Sequence, residues 1–359
     1  MDRLAIICDG ITVADGRVAG HDAGATLVRR LLRLFPGAAL VGPRAQRGEG
    51  FEVVPLELVD PRRTLVINMD VVTSPSVWRT LSVGGIEPSI VNFVWWNTTQ
   101  FTHPVQRLSL ALSCALFPTF ANSRRTATEI SEIVASATVP AVADKARIDW
   151  ANLGIRLNHV QARETPHTPV VLYPAIRLSP RKRPELFLDV VDRVRRHTPI
   201  QVEMRLEESH LISERAIRLS RKEWAWVGPL TATREDYYYR LARTTAFLAT
   251  AQDESYGLEY VEAMVAGAVG VFPDLPWARA LLPDKYPLLY ADVREAEQLL
   301  TRAVTDSDGC RAQLDAAAGG NFARWLRERH DDTQFEEGFV AALERWFPGA
   351  SLIAKAEPS

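Results

Sequence analysis

The chain has 359 residues, 47% of them hydrophobic and 24% charged, with a formal net charge of -2. That length holds two domains with separate cores, and so even a charge balance gives no broad basic field for a nucleic-acid partner. Cys8, Cys114 and Cys310 are too few and too far apart for a disulfide framework or a zinc cluster, and read as reduced core thiols of a cytoplasmic protein. The apolar run over residues 108–117 stops at Pro118, short of the ~20 residues of a transmembrane segment. Residues 1–7 are too short and too acidic for a signal peptide and lead into a first buried strand.

Strand and helix patterns then alternate. Residues 4–8 read as a strand, followed by a loop of small and polar residues up to Asp22-Ala23-Gly24 and a helix over residues 25–35. Short strands follow at residues 39–41 and 65–68, and a longer one at 89–96 ends in the polar turn Asn97-Thr98-Thr99-Gln100. A strand over residues 119–123 runs into a helix over 124–136. Residues 138–168 lose the rhythm and read as a connection, with Asn152-Leu153-Gly154-Ile155 as a turn inside it. A second series gives strands at 170–173, 200–206, 225–227, 246–249 and 270–272, and helices at 184–197, 209–220, 233–243, 294–303 and 335–347. This β-then-α order predicts parallel sheets covered on both faces. The expected division is an N-terminal domain over residues 1–167, a C-terminal domain over 168–332 and a helical tail over 333–359.

Two clusters at the carboxyl ends of predicted strands could carry chemistry. Asp253-Glu254-Ser255-Tyr256-Gly257-Leu258 lies where one strand hands over to a helix, the usual ligand position of open α/β sheets. From Glu254 to Glu262 is about 80° beyond two full helical turns, so on one helix both carboxylates can face one cleft. Amides near Tyr256, Gly257 and Leu258 would suit a phosphate group. The other reading of these glutamates is dipole partners at a helix start or solvated surface charge. Arg177 and Lys182 stand in one turn, in a chain with only five lysines. A planar guanidinium and a point-charge ammonium on one loop can clamp a diphosphate; a solvated basic turn is the alternative. Asp306-Ser307-Asp308 reads as turn chemistry, not as a metal site.

In combination these residues resemble the family 4 glycosyltransferases of the GT-B fold. Glu254 and Glu262, with Ser255-Tyr256-Gly257-Leu258 after the first and Ala263-Met264 after the second, match that family's pair of glutamates with seven residues between. Arg177 and Lys182 match its arginine and lysine with four residues between. Gly228, followed by Pro229, matches the glycine turn beside the nucleotide base, and Gly267 the glycine after the signature helix. Asn152-Leu153-Gly154-Ile155 looks like the turn that ends the family's linker approach.

The resemblance implies an α/β protein of GT-B architecture, two Rossmann-like domains with parallel sheets facing an interdomain cleft, and a C-terminal helix that crosses back to the first domain. It implies a retaining glycosyltransferase (EC 2.4) using a nucleotide-diphosphate sugar, most simply a UDP- or GDP-sugar, with no metal and no other cofactor. Glu262 would bond the ribose, Arg177 and Lys182 would neutralise the diphosphate, and Glu254 would hold hydroxyls of the sugar. The acceptor is open among a glycan, a lipid-linked sugar and a small molecule, as is a peripheral seat at the inner membrane face. Two rivals stand beside it: a catalytically inactive GT-B nucleotide-sugar-binding or scaffold protein, and a GT-B epimerase. Family members often carry a histidine at the end of a first-domain strand, where this chain has Trp95, Trp96, Asn97 and Thr98. These four, with His103 and Gly24 of the loosely matched glycine loop Gly20-His21-Asp22-Ala23-Gly24, are candidate sugar or acceptor contacts. The paired tryptophans read equally as core.

Overall fold

The computed structural model describes residues 1–20, 22–231 and 233–350, so His21 of the glycine loop and residues 351–359 of the expected tail lie outside the described residues. The chain forms two compact units, Met1–Ala151 with the segment from Phe335 onward, and Asn152–Gln334. The sequence reading puts the corresponding divisions at 167/168 and 332/333.

In the first unit the strands are β1 (Arg3–Ile7), a small hairpin of β2 (Val13–Ala14) and β3 (Arg17–Val18), β4 (Ala39–Val41), β5 (Gln46–Arg47), β6 (Glu52–Val54), β7 (Thr64–Asn68), β8 (Ser89–Val94), β9 (Thr119–Ala121) and β10 (Ile148–Trp150). Eight of these make one sheet in the order β10-β9-β8-β7-β1-β4-β6-β5, parallel except for β5 at the edge. Val, Ile and Leu runs of strands buried on both faces fill its core. Asn92 interrupts one such run and is fully buried. Its side chain accepts from Ser74 Oγ at 2.6 Å and donates to Thr119 Oγ1 at 3.2 Å, which satisfies it without water. The helix Asp332–Trp346 buries Phe335 and Phe339, whose rings lie 4.8–5.9 Å from Phe93, Phe120 or each other.

The second unit holds β11 (Val170–Tyr173), β12 (Gln201–Leu206), β13 (Ala225–Pro229), β14 (Ala246–Leu248), β15 (Val269–Pro273) and β16 (Leu289–Tyr290). All pair in parallel in the order β13-β12-β11-β14-β15-β16. Counted along this unit the order is 3-2-1-4-5-6, the dinucleotide-fold order, and its switch point falls between β11 and β14. Lys182 and Glu254 issue from the loops that follow the two strands flanking that point.

Three readings are corrected. Residues 138–168 are not all connection: Pro140–Ala143 is a helical turn, and β10 pairs in parallel with β9. Residues 209–220 form two short helices, Glu208–Leu211 and Glu214–Ser220, because Ser213 turns outward to cap the second, accepting from Ala216 N at 3.3 Å. The signature helix begins at Leu258, so Glu254 is not on it and the helical-face argument does not apply to Glu254. Helices Ser74–Leu81, Pro104–Leu116, Pro276–Leu281, Ser307–Ala317 and Phe322–His330 were not anticipated. Asp306 caps one of them through Gly309 N at 3.0 Å. No helix among the described residues is long and apolar enough to cross a membrane, and all three cysteines are buried free thiols.

Candidate active site

The loop after β11 is shaped before it is charged. Lys182 N–H donates to Ser179 O at 3.0 Å to close a single helical turn, Arg183 takes a left-handed φ of 47°, and Pro184 opens the next helix. Two bonds then stitch this loop to the exit of β14: Thr250 Oγ1 donates to Lys182 O at 2.6 Å, and Gln252 N to Arg181 O at 2.9 Å. The strands on either side of the switch point therefore share one frame.

Across that frame the Lys182 ammonium bonds the Glu254 carboxylate and lies 3.6 Å from Glu259 Oε2. Tyr260 hydroxyl donates to Glu254 Oε1 at 3.0 Å, and the ammonium sits 5.6 Å from the Tyr260 ring centroid. Burial alone would depress the Lys182 pKa, but Glu259 and Glu254 outweigh it and leave the ammonium held above its ordinary value. Glu259 is pushed up, first by burial, against the pull of Lys182 and with help from the charges of Glu254 and Glu262.

Gly257 is the hinge of this turn. Its φ is 83°, and a Cβ there would stand 2.5 Å from Tyr260 Cδ2. Ser255 and Tyr256 lie in the turn and Leu258 opens the helix, which has no side-chain cap. The Tyr256 side chain does structural work instead. Its oxygen accepts from Gly154 N at 3.1 Å and its hydroxyl meets His330 Nδ1, so it clamps the Asn152–Ile155 turn to the end of the Phe322–His330 helix.

Glu262, 6% exposed, points elsewhere. Its Oε1 accepts from Arg234 Nη2 at 2.6 Å and its Oε2 from the Tyr237 hydroxyl at 3.0 Å. Arg177 is likewise bonded, through Nε to Glu207 Oε2 at 2.8 Å. Gly228 and Pro229 end β13, where the Trp226 ring covers Gly228 so closely that a Cβ would stand 2.4 Å from it. Arg205 stacks 4.4 Å from the Trp226 ring centroid.

In the first unit Gly24 lies in the first turn of the Ala23–Leu34 helix, where an added Cβ would meet Trp95 Cη2 at 3.2 Å. Trp96 packs with the core beside Phe101, ring centroids 4.7 Å apart, and donates to Met69 O at 3.3 Å. Asn97 precedes a helical turn, and Thr98 is buried with its hydroxyl on Glu129 Oε2 at 2.6 Å. His103 caps the Pro104–Leu116 helix, its Nδ1 accepting from Val105 N at 3.3 Å.

The structure thus brings Lys182 and Glu254 together and sets Glu262 and Arg177 with other partners. Sequence reading missed Glu259, Arg234, Tyr237 and Tyr260. Glu259 was the legible one, a third carboxylate between the two named. Arg234 carried a fainter signal, a cation in a helix first turn, where the dipole disfavours it.

No family model matches the sequence, and no curated protein matches it. Among solved structures the chain is similar to a sucrose-phosphate synthase from Thermosynechococcus elongatus, with a TM-score of 0.72 and 12% identity over 97% of this chain and 99% of that one. It is similar to Anabaena HepE in complex with UDP and glucose, with a TM-score of 0.69 and 14% identity over 96% and 100%. It is similar to a trehalose 6-phosphate synthase from Burkholderia multivorans, with a TM-score of 0.66 and 13% identity over 100% of both chains. Identities this low speak to fold alone, and the fold is GT-B with two Rossmann-like domains.

Proposed function

We propose that the protein is a retaining glycosyltransferase that moves a sugar from a nucleotide-diphosphate sugar to a hydroxyl acceptor. One observation carries the reading: at the switch point of a sheet in dinucleotide-fold order, Lys182 from one strand end grips Glu254 from the other. Support comes also from the family 4 pattern of Arg177, Lys182, Glu254 and Glu262, and from fold neighbours described as a sucrose-phosphate synthase and as a complex with UDP and glucose.

In this reading the diphosphate lies over the β11 loop, where Lys182 and Arg177 meet the negative charge that develops as the bond to the sugar breaks. Preorganised cations of this kind lower the barrier without moving at the moment of reaction. Glu254, fixed by Lys182 and Tyr260, presents its carboxylate to sugar hydroxyls, while Gly257 lets backbone amides approach a phosphate. Glu262 serves the ribose. The protein's own cations take the part at the leaving group that a metal plays elsewhere. A UDP- or GDP-sugar is the expected donor, and the acceptor is a glycan, a lipid-linked sugar or a small molecule.

A second reading, a catalytically inactive nucleotide-sugar-binding protein, draws on the carboxylates already seated on the cations: Glu207 on Arg177, and Glu254 and Glu259 on Lys182. Single-turnover assays with radiolabelled UDP-, GDP-, ADP- and dTDP-sugars separate the two. Nucleoside diphosphate released together with sugar transferred supports the transferase. Tight binding with neither product supports the inactive protein.

A further inference from the structure

We infer that Arg234 is a donor-site residue, and that the nucleoside diphosphate meets the Arg234–Glu262 pair as one unit, not Glu262 alone; this rests on the donor-binding reading above. Arg234 opens the helix Arg234–Ala242, directly after the Thr233 cap and a few residues beyond Gly228 and Pro229 at the end of β13. A positive charge in a helix first turn opposes the helix dipole, so local energetics do not account for it. What holds it is tertiary: the bond to Glu262 at 2.6 Å and the faces of Tyr237 and Tyr238, whose ring centroids lie 5.4 Å and 5.5 Å from its guanidinium carbon.

The pair is lopsided in exposure. Glu262's side chain is 8% exposed and Arg234's 49%, so the carboxylate lies beneath the guanidinium. Displacing Arg234 would strand a buried carboxylate, and neutral ribose hydroxyls do not replace a counter-charge. The pair therefore stays together when a donor arrives. A guanidinium has five N–H donors, and the Glu262 bond uses one. Those on its exposed side are the groups a ribose oxygen or a phosphate meets. Glu262, with one bond on each oxygen, keeps a lone pair on each as well.

Calorimetry with UDP, and with GDP in parallel, tests this on wild type, Glu262→Gln and the double variant Arg234→Ala/Glu262→Gln. The glutamine keeps the site's shape without a charge to strand, so the double variant is expected to fold, checked by its melting curve. The double variant is predicted to bind UDP or GDP about tenfold more weakly than Glu262→Gln alone, a loss of about 1.4 kcal/mol. Equal affinity, or tighter binding because Arg234 merely covers the site, overturns the inference and leaves the donor reading standing. Wild type that binds neither nucleotide overturns both.

Discussion

Lys182 and Glu254 are 72 residues apart in the chain and joined in space, one from the loop after β11, the other from the turn after β14. Those strands flank the switch point, where open parallel sheets usually receive a ligand. The pair also ties the charge that would meet a diphosphate to the carboxylate that would meet a sugar.

The two partners should separate kinetically. Lys182→Ala removes a charge-assisted contact of about 1.5–3 kcal/mol and is expected to weaken donor binding about 10- to 100-fold. Glu254→Ala is expected to lower kcat about 100-fold and to change donor affinity less. Donor titration and single-turnover rates on both variants check this, and unchanged turnover in both would show that the site is misplaced.

Glu259 lies 3.6 Å from the Lys182 ammonium, so on the proposed donor reading it would compete with the phosphates, and burial already pushes its pKa up. Glu259→Gln is therefore expected to tighten nucleoside diphosphate binding about threefold to tenfold, because one carboxylate no longer opposes the phosphates. In wild type, affinity gains as pH falls and Glu259 takes a proton; in the variant that part of the slope disappears. Calorimetry across pH on the two proteins measures the difference.

Much of the fold is legible because its strands are short apolar runs ended by polar turns, and β11, β12 and β14 fall where their Val, Leu and Phe residues put them. β10 escapes because Ile148-Asp149-Trp150 is brief and only half apolar, and pairing with β9 is what makes it a strand. The helical-face relation between Glu254 and Glu262 does not hold, because Gly257 takes a left-handed φ and the helix begins only at Leu258. Site residues stood out where their types are scarce or patterned, as Lys182, Glu254 and Glu262 are. Arg234 and Tyr237 reach Glu262 from another element, and no spacing along the chain announces such a meeting.

His330 ties stability to pH. The His330 imidazole is buried, its Nδ1 bonded to the Tyr256 hydroxyl, whose oxygen also accepts from Gly154 N–H, so protonating the ring means placing a charge there. Burial, aided by the nearby Arg329 charge and opposed by a backbone bond at Leu281, pulls its pKa down to about 4. The unfolded chain takes up this proton near pH 6.5 and the folded one does not until about 4, so stability is lost as pH falls through that window. The loss is about 1.4 kcal/mol per pH unit and about 3 kcal/mol in all. Melting curves from pH 7 to 4 should fall more steeply for wild type than for His330→Gln.

Gly154 admits no side chain. Its φ is 64°, and a Cβ would stand 2.6 Å from the Asp331 carbonyl oxygen. Gly154→Ala should cost about 2–4 kcal/mol, since both the backbone strain and the clash fall on rigid chain. Urea unfolding of the variant measures it.

Thermal shift with UDP-, GDP-, ADP- and dTDP-sugars tests most directly whether the second unit takes a nucleotide-diphosphate sugar. One of the four is predicted to raise the melting temperature of wild type clearly and that of Lys182→Ala little. Stabilisation of the wild-type protein by none of them would contradict a nucleotide-sugar site in this unit.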